Sequence, residues 1–383
     1  MNRPIYLDHH ATTPIDKRVI DIMLPYFYEK FGNASSIDHV YGNEAVSAVN
    51  KAREQLAHDI GCHSEEIIFT SGATESDNLA IFGVARILKE KGNHIITCVT
   101  EHKAILDSCK QLENEGFNIT YLKVNQDGEI NLKELENVIT PKTIMISIMA
   151  ANNEVGTIAP LKQIGLIAHK NNILFHTDAA QSFGHIPLNV KELSIDLMSI
   201  SAHKIGGPKG IGALYVSNDK PLVKIMPLIY GGGHEKGMRS GTLNVPGIVG
   251  LGEASRLAHE EMKITEIKLE KLRNKLYNGI SSQCTVKING NSKNKLNHNL
   301  NISFENIDAK ALINEIKNEL AVSTGSACNS NDVKPSHVLL SLGFDEERAF
   351  SSIRFGLGKT NTEEQIDFAI TEIIKAVNKL SNL

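Results

Sequence analysis

Ile173-Leu174-Phe175-His176-Thr177-Asp178-Ala179-Ala180-Gln181, and after it Leu197-Met198-Ser199-Ile200-Ser201-Ala202-His203-Lys204, are the stretches that decide the fold. Each is an apolar run of strand length that breaks off into charged and hydrogen-bonding side chains. The unit recurs upstream at Ile67 to Thr70, His94 to Val99 and Thr143 to Met149. Between these runs lie amphipathic helical candidates at Ala45 to Ile60, Lys103 to Glu115, Leu132 to Val138 and Leu161 to His169. Strands alternating with helices predict an α/β chain with a largely parallel sheet.

The candidate site groups follow the runs directly: Ser71 to Thr74, His102, Asn153, Asp178 and Ser201 to Lys204. Open α/β sheets bind ligands beyond the carboxyl ends of their strands, so these groups are expected to meet in one cleft. A lysine and a carboxylate delivered there suit pyridoxal 5'-phosphate. That cofactor needs a lysine to hold its aldehyde as a Schiff base and a carboxylate to keep its pyridine nitrogen protonated, so that the ring can accept electrons from a substrate carbanion. Lys204 and Asp178 would take those roles, and an amino-acid enzyme is expected.

At 383 residues the chain exceeds what one hydrophobic core usually supports, and two domains are expected. A net charge of -4 without a basic tract argues against nucleic acid as a direct ligand. Met1 to Asp8 holds no apolar signal core and no apolar run reaches membrane-spanning length, so a soluble cytoplasmic protein is expected. Cys62, Cys98, Cys109, Cys284 and Cys328 are odd in number and widely spaced, without a C-x-x-C pair. That pattern fits a reducing compartment and no metal centre.

Ser71-Gly72-Ala73-Thr74 leads from a strand into a helix-like stretch, a good cradle for a phosphate. His102 is placed to stack on the pyridine or shuttle a proton. Asn153, in Asn152-Asn153-Glu154, offers an amide near ring or substrate. Arg354 admits two readings, a bidentate clamp for a substrate carboxylate or a structural salt bridge. Cys328 sits in Ser323-Thr324-Gly325-Ser326-Ala327-Cys328-Asn329-Ser330-Asn331, small and polar residues that suit a mobile, exposed loop, whereas Cys98 has apolar neighbours. It is the best candidate among the cysteines for a reactive thiol.

Beyond Leu251 a charged helical pattern, Glu253 to Leu276, and an Asn- and Lys-rich stretch, Asn289 to Asn301, mark the passage to a second domain. Thr362-Glu363-Glu364-Gln365 is a capping-box pattern ahead of Ile366, Ala369, Ile370, Ile373, Val377 and Leu380 at helical spacing.

These runs, with Tyr6-Leu7-Asp8, Ala11-Thr12-Thr13-Pro14, the Gly231 to Thr242 loop and Ser351-Ser352-Ile353-Arg354-Phe355, together resemble the cysteine desulfurases of the IscS and NifS type. These belong to the class-V aminotransferases among the fold type I pyridoxal-phosphate enzymes. The resemblance implies a large domain, 15–255, with a mixed, mostly parallel sheet flanked by helices. It also implies a smaller α+β domain, 1–14 and 256–383, that carries the catalytic cysteine. Lys204 would be the Schiff-base lysine and proton-transfer base, Asp178 the partner of the pyridine nitrogen, Gln181 that of the ring hydroxyl, and His102 the stacking group. Ala73, Thr74, Ser201, Ala202 and His203 would surround the cofactor, mostly at its phosphate, with Thr242 of the second subunit of a homodimer. Asn153 and Arg354 would orient L-cysteine, and Cys328 would take its sulfur as a persulfide, leaving alanine. Relatives carry a further C-terminal tail that docks an iron-sulfur scaffold, so the acceptor stays open between such a scaffold and a tRNA-thiolation carrier. Phe31-Gly32-Asn33-Ala34 and Arg354-Phe355-Gly356 depart from the usual F-G-N-P and R-F-S without removing a group the chemistry uses. The alternatives are a selenocysteine lyase, another class-V aminotransferase-like enzyme, or a cofactor-free scaffold of the same fold.

Overall fold

Strands that are apolar on both faces must be covered on both faces, and the central sheet of this chain lies between two layers of helix. The structure is a computed structural model that describes residues 3–219, 222–325 and 334–381. Within those residues run β1 (Ile5–Tyr6), β2 (Ile67–Thr70), β3 (His94–Cys98), β4 (Asn118–Leu122), β5 (Thr143–Ser147), β6 (Leu174–Asp178), β7 (Leu197–Ser201), β8 (Gly212–Val216), β9 (Val286–Ile288), β10 (Asn299–Phe304), β11 (Leu320–Ala321) and β12 (Ser352–Gly356). Seven of them form the main sheet in the order β2-β8-β7-β6-β5-β3-β4. Only β8 runs antiparallel to its neighbours, so β2 and the parallel set β3 to β7 end at one edge, where β8 begins.

The five anticipated strands are all present. The two that polarity hid are explained by their surroundings. β4 is the edge strand and only partly buried, so its Asn118-Ile119-Thr120-Tyr121-Leu122 is too polar to stand out. β8 lies between β2 and β7, wholly buried but interrupted in sequence by Gly210 and Gly212. A Cβ at Gly212 would come within 2.7 Å of the Gly72 backbone, so a glycine is needed there for the turn after β2 to sit close.

One face of the sheet packs Phe69, Ile146, Phe175, Met198 and Tyr215 against the helices Val40–Ile60 and Leu161–Lys170 and the first half of Val245–Ser281. The other packs Ile68, Ile95, Met145 and Leu214 against Ala73–Leu88 and Lys103–Asn114. Val245–Ser281 is 37 residues long, capped by Asn244, whose Oδ1 accepts from Gly247 N at 3.1 Å. It begins before the charged pattern does because Gly247, Gly250 and Gly252 dilute its early apolar signal. A Cβ at Gly252 would lie 2.7 Å from Ala52, so the helices Val40–Ile60 and Val245–Ser281 meet through small residues.

The far half of the same helix supplies Leu269, Leu272, Leu276 and Ile280 to a second core. That core is covered by the three-stranded sheet β12-β10-β9 and the helix Glu363–Ser381. Thr362 and Gln365 cap that helix reciprocally, each side chain accepting from the other's backbone N–H at 3.3 Å, as the capping box predicts. Ile366, Ala369, Ile373 and Val377 are buried in the core while Ile370 and Leu380 pack at its margin. The Asn-rich stretch, by contrast, ends inside β10, where Asn299 and Asn301 are fully buried. Both amide nitrogens donate to Glu154 O at 3.1 Å, so asparagine composition there marks a polar seam rather than a linker.

Phe175 is 0 % exposed at the centre of the sheet. Phe175→Ala is expected to lower stability by about 3–5 kcal/mol. Chemical denaturation followed by circular dichroism checks this, with the midpoint falling at unchanged slope.

Candidate active site

The cleft lies at the shared edge of the strands and has a volume of about 650 Å³. Ser71, Gly72, Ala73, Thr74, His102, Asn153, Asp178, Gln181, Ser201, His203, Lys204 and Arg354 all line it, a convergence of residues from β2, β3, β5, β6, β7 and β12. Ala202 is instead fully buried beneath the turn that follows β7, where its carbonyl accepts from Ile205 N and Gly207 N. Thr242 is exposed and does not line the cleft of its own chain. Cys328 lies outside the described residues, but Gly325, three positions before it, lines the cleft.

Asp178 ends β6 and Lys204 ends the 3-10 turn after β7, and the parallel register that pairs Asp178 with Ser199 brings them to the same cleft. Asp178 Oδ1 accepts from Ala180 N at 2.8 Å. Burial nevertheless pushes its carboxyl above the ordinary range, against the opposing influence of that N–H, His102 and Lys204. A cation held against it would supply the missing counter-charge, which is what a protonated pyridine nitrogen does. Lys204 Nζ donates to Ala11 O at 3.0 Å and also to His10 O, so the N-terminal segment parks the ammonium at the cleft wall.

The helix Ala73–Leu88 has no side-chain cap, and Gly72 before it has φ 153° with open space where a Cβ would stand. Uncapped N–H groups facing a cleft suit a phosphate. Glu75 holds the turn from outside: it accepts from Ser71 N at 2.8 Å and from Arg239 Nε at 2.8 Å, which ties the Gly-rich loop to it. His203 Nδ1 meets Thr12 Oγ1 at 3.1 Å, and burial lowers its pKa to about 4, so it is a neutral hydrogen-bonding group.

His102 caps the helix Lys103–Asn114, its Nδ1 accepting from Ala104 N at 3.2 Å. The acceptor nitrogen is therefore bare, and Nε2 carries the proton of the neutral ring. Burial lowers its pKa, with Asp178 opposing. Of the two adjacent asparagines, Asn152 is structural, since its Oδ1 accepts from Glu154 N and Val155 N. Asn153 lines the cleft. Arg354 makes the structural salt bridge: Nη2 pairs with Asp8 Oδ1 at 2.8 Å and Nη1 donates to Asn153 O at 2.9 Å. Its buried Nε has no partner among the described residues. A bidentate carboxylate ligand would satisfy it.

Two acids beneath the cleft and a histidine in its wall were not legible in sequence. Glu101 Oε1 accepts from Met149 N at 2.7 Å while its other oxygen has no partner among the described residues. Burial pushes Glu101 and Asp77 above the carboxylate range, and the charge on Asp178 adds to both. His10 and its neighbours Ala11 and Thr12 form a wall of the cleft. Ala11 and Thr12 entered the sequence reading only through the family resemblance, because the parallel pair β1 and β11 anchors the N-terminus from a distance in sequence.

Comparison with known proteins gives a consistent picture. Residues 5–368 match the family described as aminotransferase class-V. A cysteine desulfurase IscS of Rickettsia bellii is 52% identical over 381 residues, covering 99% of this chain and 92% of the relative. One from Histophilus somni is 51% identical over 385 residues, covering 100% of this chain and 95% of that protein. A solved NifS-like protein superposes with a TM-score of 0.92 at 40% identity, covering 99% of this chain and 100% of that one. A second, SspA in complex with cysteine, gives 0.82 at 38% identity over 92% and 98% of the two chains.

The described cysteines are poor nucleophiles. Burial raises the thiols of Cys62, Cys98 and Cys109 to about 12 and raises that of Cys284. A thiol of that pKa is thiolate in only about one part in 10⁴ at pH 8. Brief iodoacetamide treatment of the folded protein at pH 8 should therefore label Cys328 and leave Cys98 and Cys109 intact until denaturation, as read by peptide mass spectrometry.

Proposed function

The chain belongs to the cysteine desulfurases of the class-V aminotransferase family, and from that premise we propose that it is a pyridoxal-phosphate enzyme that converts L-cysteine to L-alanine with the sulfur held as a persulfide on Cys328. The observation that carries this reading is the meeting of Lys204, Asp178, His102, the uncapped helix start at Ala73 and Arg354 in one cleft. Each fits one part of the cofactor or of an amino acid.

In this reading Asp178 meets the pyridine nitrogen, Gln181 the ring hydroxyl and His102 the ring face. Ala73, Thr74, Ser201 and His203 hold the phosphate, with Ala202 shaping the turn that presents His203 and Lys204. When bound, the cofactor supplies an electron sink that stabilises the substrate carbanion. Lys204 would hold the cofactor and, when its amine is free, would be the base that takes the substrate α-proton. Arg354 and Asn153 orient the cysteine through its carboxylate, which fixes the substrate for attack on its sulfur. The thiolate of Cys328 attacks that sulfur: an S–S bond forms, the bond from Cβ to sulfur breaks, and the released carbon is protonated to give alanine. The sulfur leaves at the persulfide oxidation level, and no external oxidant is required.

The same reading divides the chain into a large domain, 15–255, and a small one formed by 1–14 and 256–383. It makes the active unit a homodimer in which Thr242 serves the partner's phosphate. Exposed Phe27, Tyr28, Phe31, Val40, Tyr41 and Tyr230 support an association surface. It borders the Gly-rich loop, since Ser35 Oγ meets His234 Nε2 at 3.0 Å and His234 Nδ1 accepts from Gly241 N at 3.2 Å. No helix among the described residues is long and apolar enough to cross a membrane. The acceptor is a sulfur-carrying protein, either an iron-sulfur scaffold or a tRNA-thiolation carrier.

Lys204→Ala should abolish the visible absorption band of the bound cofactor. Cys328→Ser should keep the band yet lose sulfide release from L-cysteine, and unchanged sulfide production would overturn the persulfide step. Arg354→Lys should raise KM for cysteine by about tenfold or more through loss of the bidentate contact, measured by steady-state kinetics.

A further inference from the structure

His10 is 1 % exposed, and both of its ring nitrogens are engaged. Nδ1 lies 2.9 Å from Gln181 Oε1 and Nε2 lies 3.0 Å from Asn299 Nδ2. The ring stacks on His298 at 4.5 Å between centroids.

The direction of every proton in this chain follows from its two ends. Asn299 Nδ2 also faces Glu154 O at 3.1 Å. A carbonyl only accepts, so the atom opposite it must be the amide nitrogen and not the oxygen. His10 Nε2 therefore accepts from Asn299, and in a neutral ring the proton resides on Nδ1. Nδ1–H then donates to Gln181 Oε1. At the far end Gln181 Nε2 donates to His10 O at 3.0 Å, again nitrogen against a carbonyl. The two carbonyl ends impose the same polarity. The ring is neutral because burial, and then the charges of Arg354 and Lys204 and neighbouring His185, hold its pKa well below the usual imidazole value, while the Gln181 bond acts in the other direction.

Gln181 has two N–H groups, and His10 O takes one. We propose that His10 is a positioning residue that locks the Gln181 amide with its oxygen turned away from the cleft and its second N–H presented to an oxygen acceptor of the bound ligand. This rests on the pyridoxal-phosphate reading above, in which that acceptor is the ring oxygen. With the opposite His10 tautomer, Gln181 would turn its carbonyl toward both His10 O and the ligand oxygen, two contacts between acceptors. Because Asn299 belongs to β10, the lock also lets the three-stranded sheet set the polarity of a group in the cleft of the main sheet.

The ring oxygen gains negative charge when the lysine-bound nitrogen of the cofactor loses its proton, so a donor to that oxygen favours the deprotonated form. The protein reconstituted with pyridoxal phosphate is titrated from pH 6 to 10 while its visible absorption is followed. His10→Phe, which keeps a stacked ring and removes the donor, should raise the midpoint on the order of one pH unit. His10→Asn, which returns an amide N–H near the position of Nδ1, should restore it. A folded His10→Phe protein with the wild-type midpoint would overturn the proposal. Nitrogen NMR of the ¹⁵N-histidine-labelled wild type decides the tautomer independently of how the Phe variant folds: a protonated Nδ1 is expected, and a protonated Nε2 would overturn the lock. If the wild type develops no visible band, the cofactor reading fails, whereas a band with an unshifted variant leaves that reading intact and removes only the role of His10.

Discussion

The parallel pairing of β6 with β7 is the constraint on which the site depends. It sets Asp178 opposite Ser199, so the carboxylate and the lysine that ends the following turn leave the sheet at one edge. A register slip of one residue would turn Asp178 to the opposite face. The register is held by burial: β7 is covered on both faces by Leu197, Met198 and Ile200, and β6 by Phe175, so any slip would place His176 or Asp178 in an apolar layer. β8 then runs antiparallel to β7, and by starting at the cleft edge it brings Lys209 and Gly210 to the same wall as Lys204.

Beneath that edge the protein accepts an unusual load of buried acid. Asp77, Glu101 and Asp178 act on one another through a poorly polarisable interior, and each carboxyl is pushed up by burial. Asp77 and Glu101 are pushed well above the carboxylate range, whereas at Asp178, the acid at the cleft, the Ala180 N–H, His102 and Lys204 oppose the effect of burial. His176 is likewise kept neutral, with a pKa lowered to about 3, and hydrogen-bonds Ser147 and Ser199 at 2.8 and 3.0 Å. The polar layer thus places Asp178 at the cleft, with Asp77 and Glu101 buried behind it.

Much of the site was readable from the chain because each strand carries its functional group at its own end. Asp178, Lys204, His102 and Asn153 are all found where a strand stops, and strand ends of a parallel sheet share an edge. The reading of Arg354 was left divided, and the structure shows the salt bridge: Asp8 and Asn153 O fix one side of the guanidinium while Nε has no partner among the described residues. Asn299 and His10 escaped notice for opposite reasons. Asn299 sits in a stretch whose composition resembles a loop, and His10 is one of 15 histidines with no local pattern to single it out.

The sequence by itself determined the α/β layering, the edge at which the chemistry gathers and the residue types that gather there, because hydrophobic periodicity and strand-end polarity are local properties of the chain. Only the tertiary structure decided how those groups are tuned. The parking of Lys204 on His10 O and Ala11 O and the polarity of Gln181 arise from residues far apart in sequence. Burial and hydrogen-bond direction are set by what packs against a group, and no spacing along the chain encodes them.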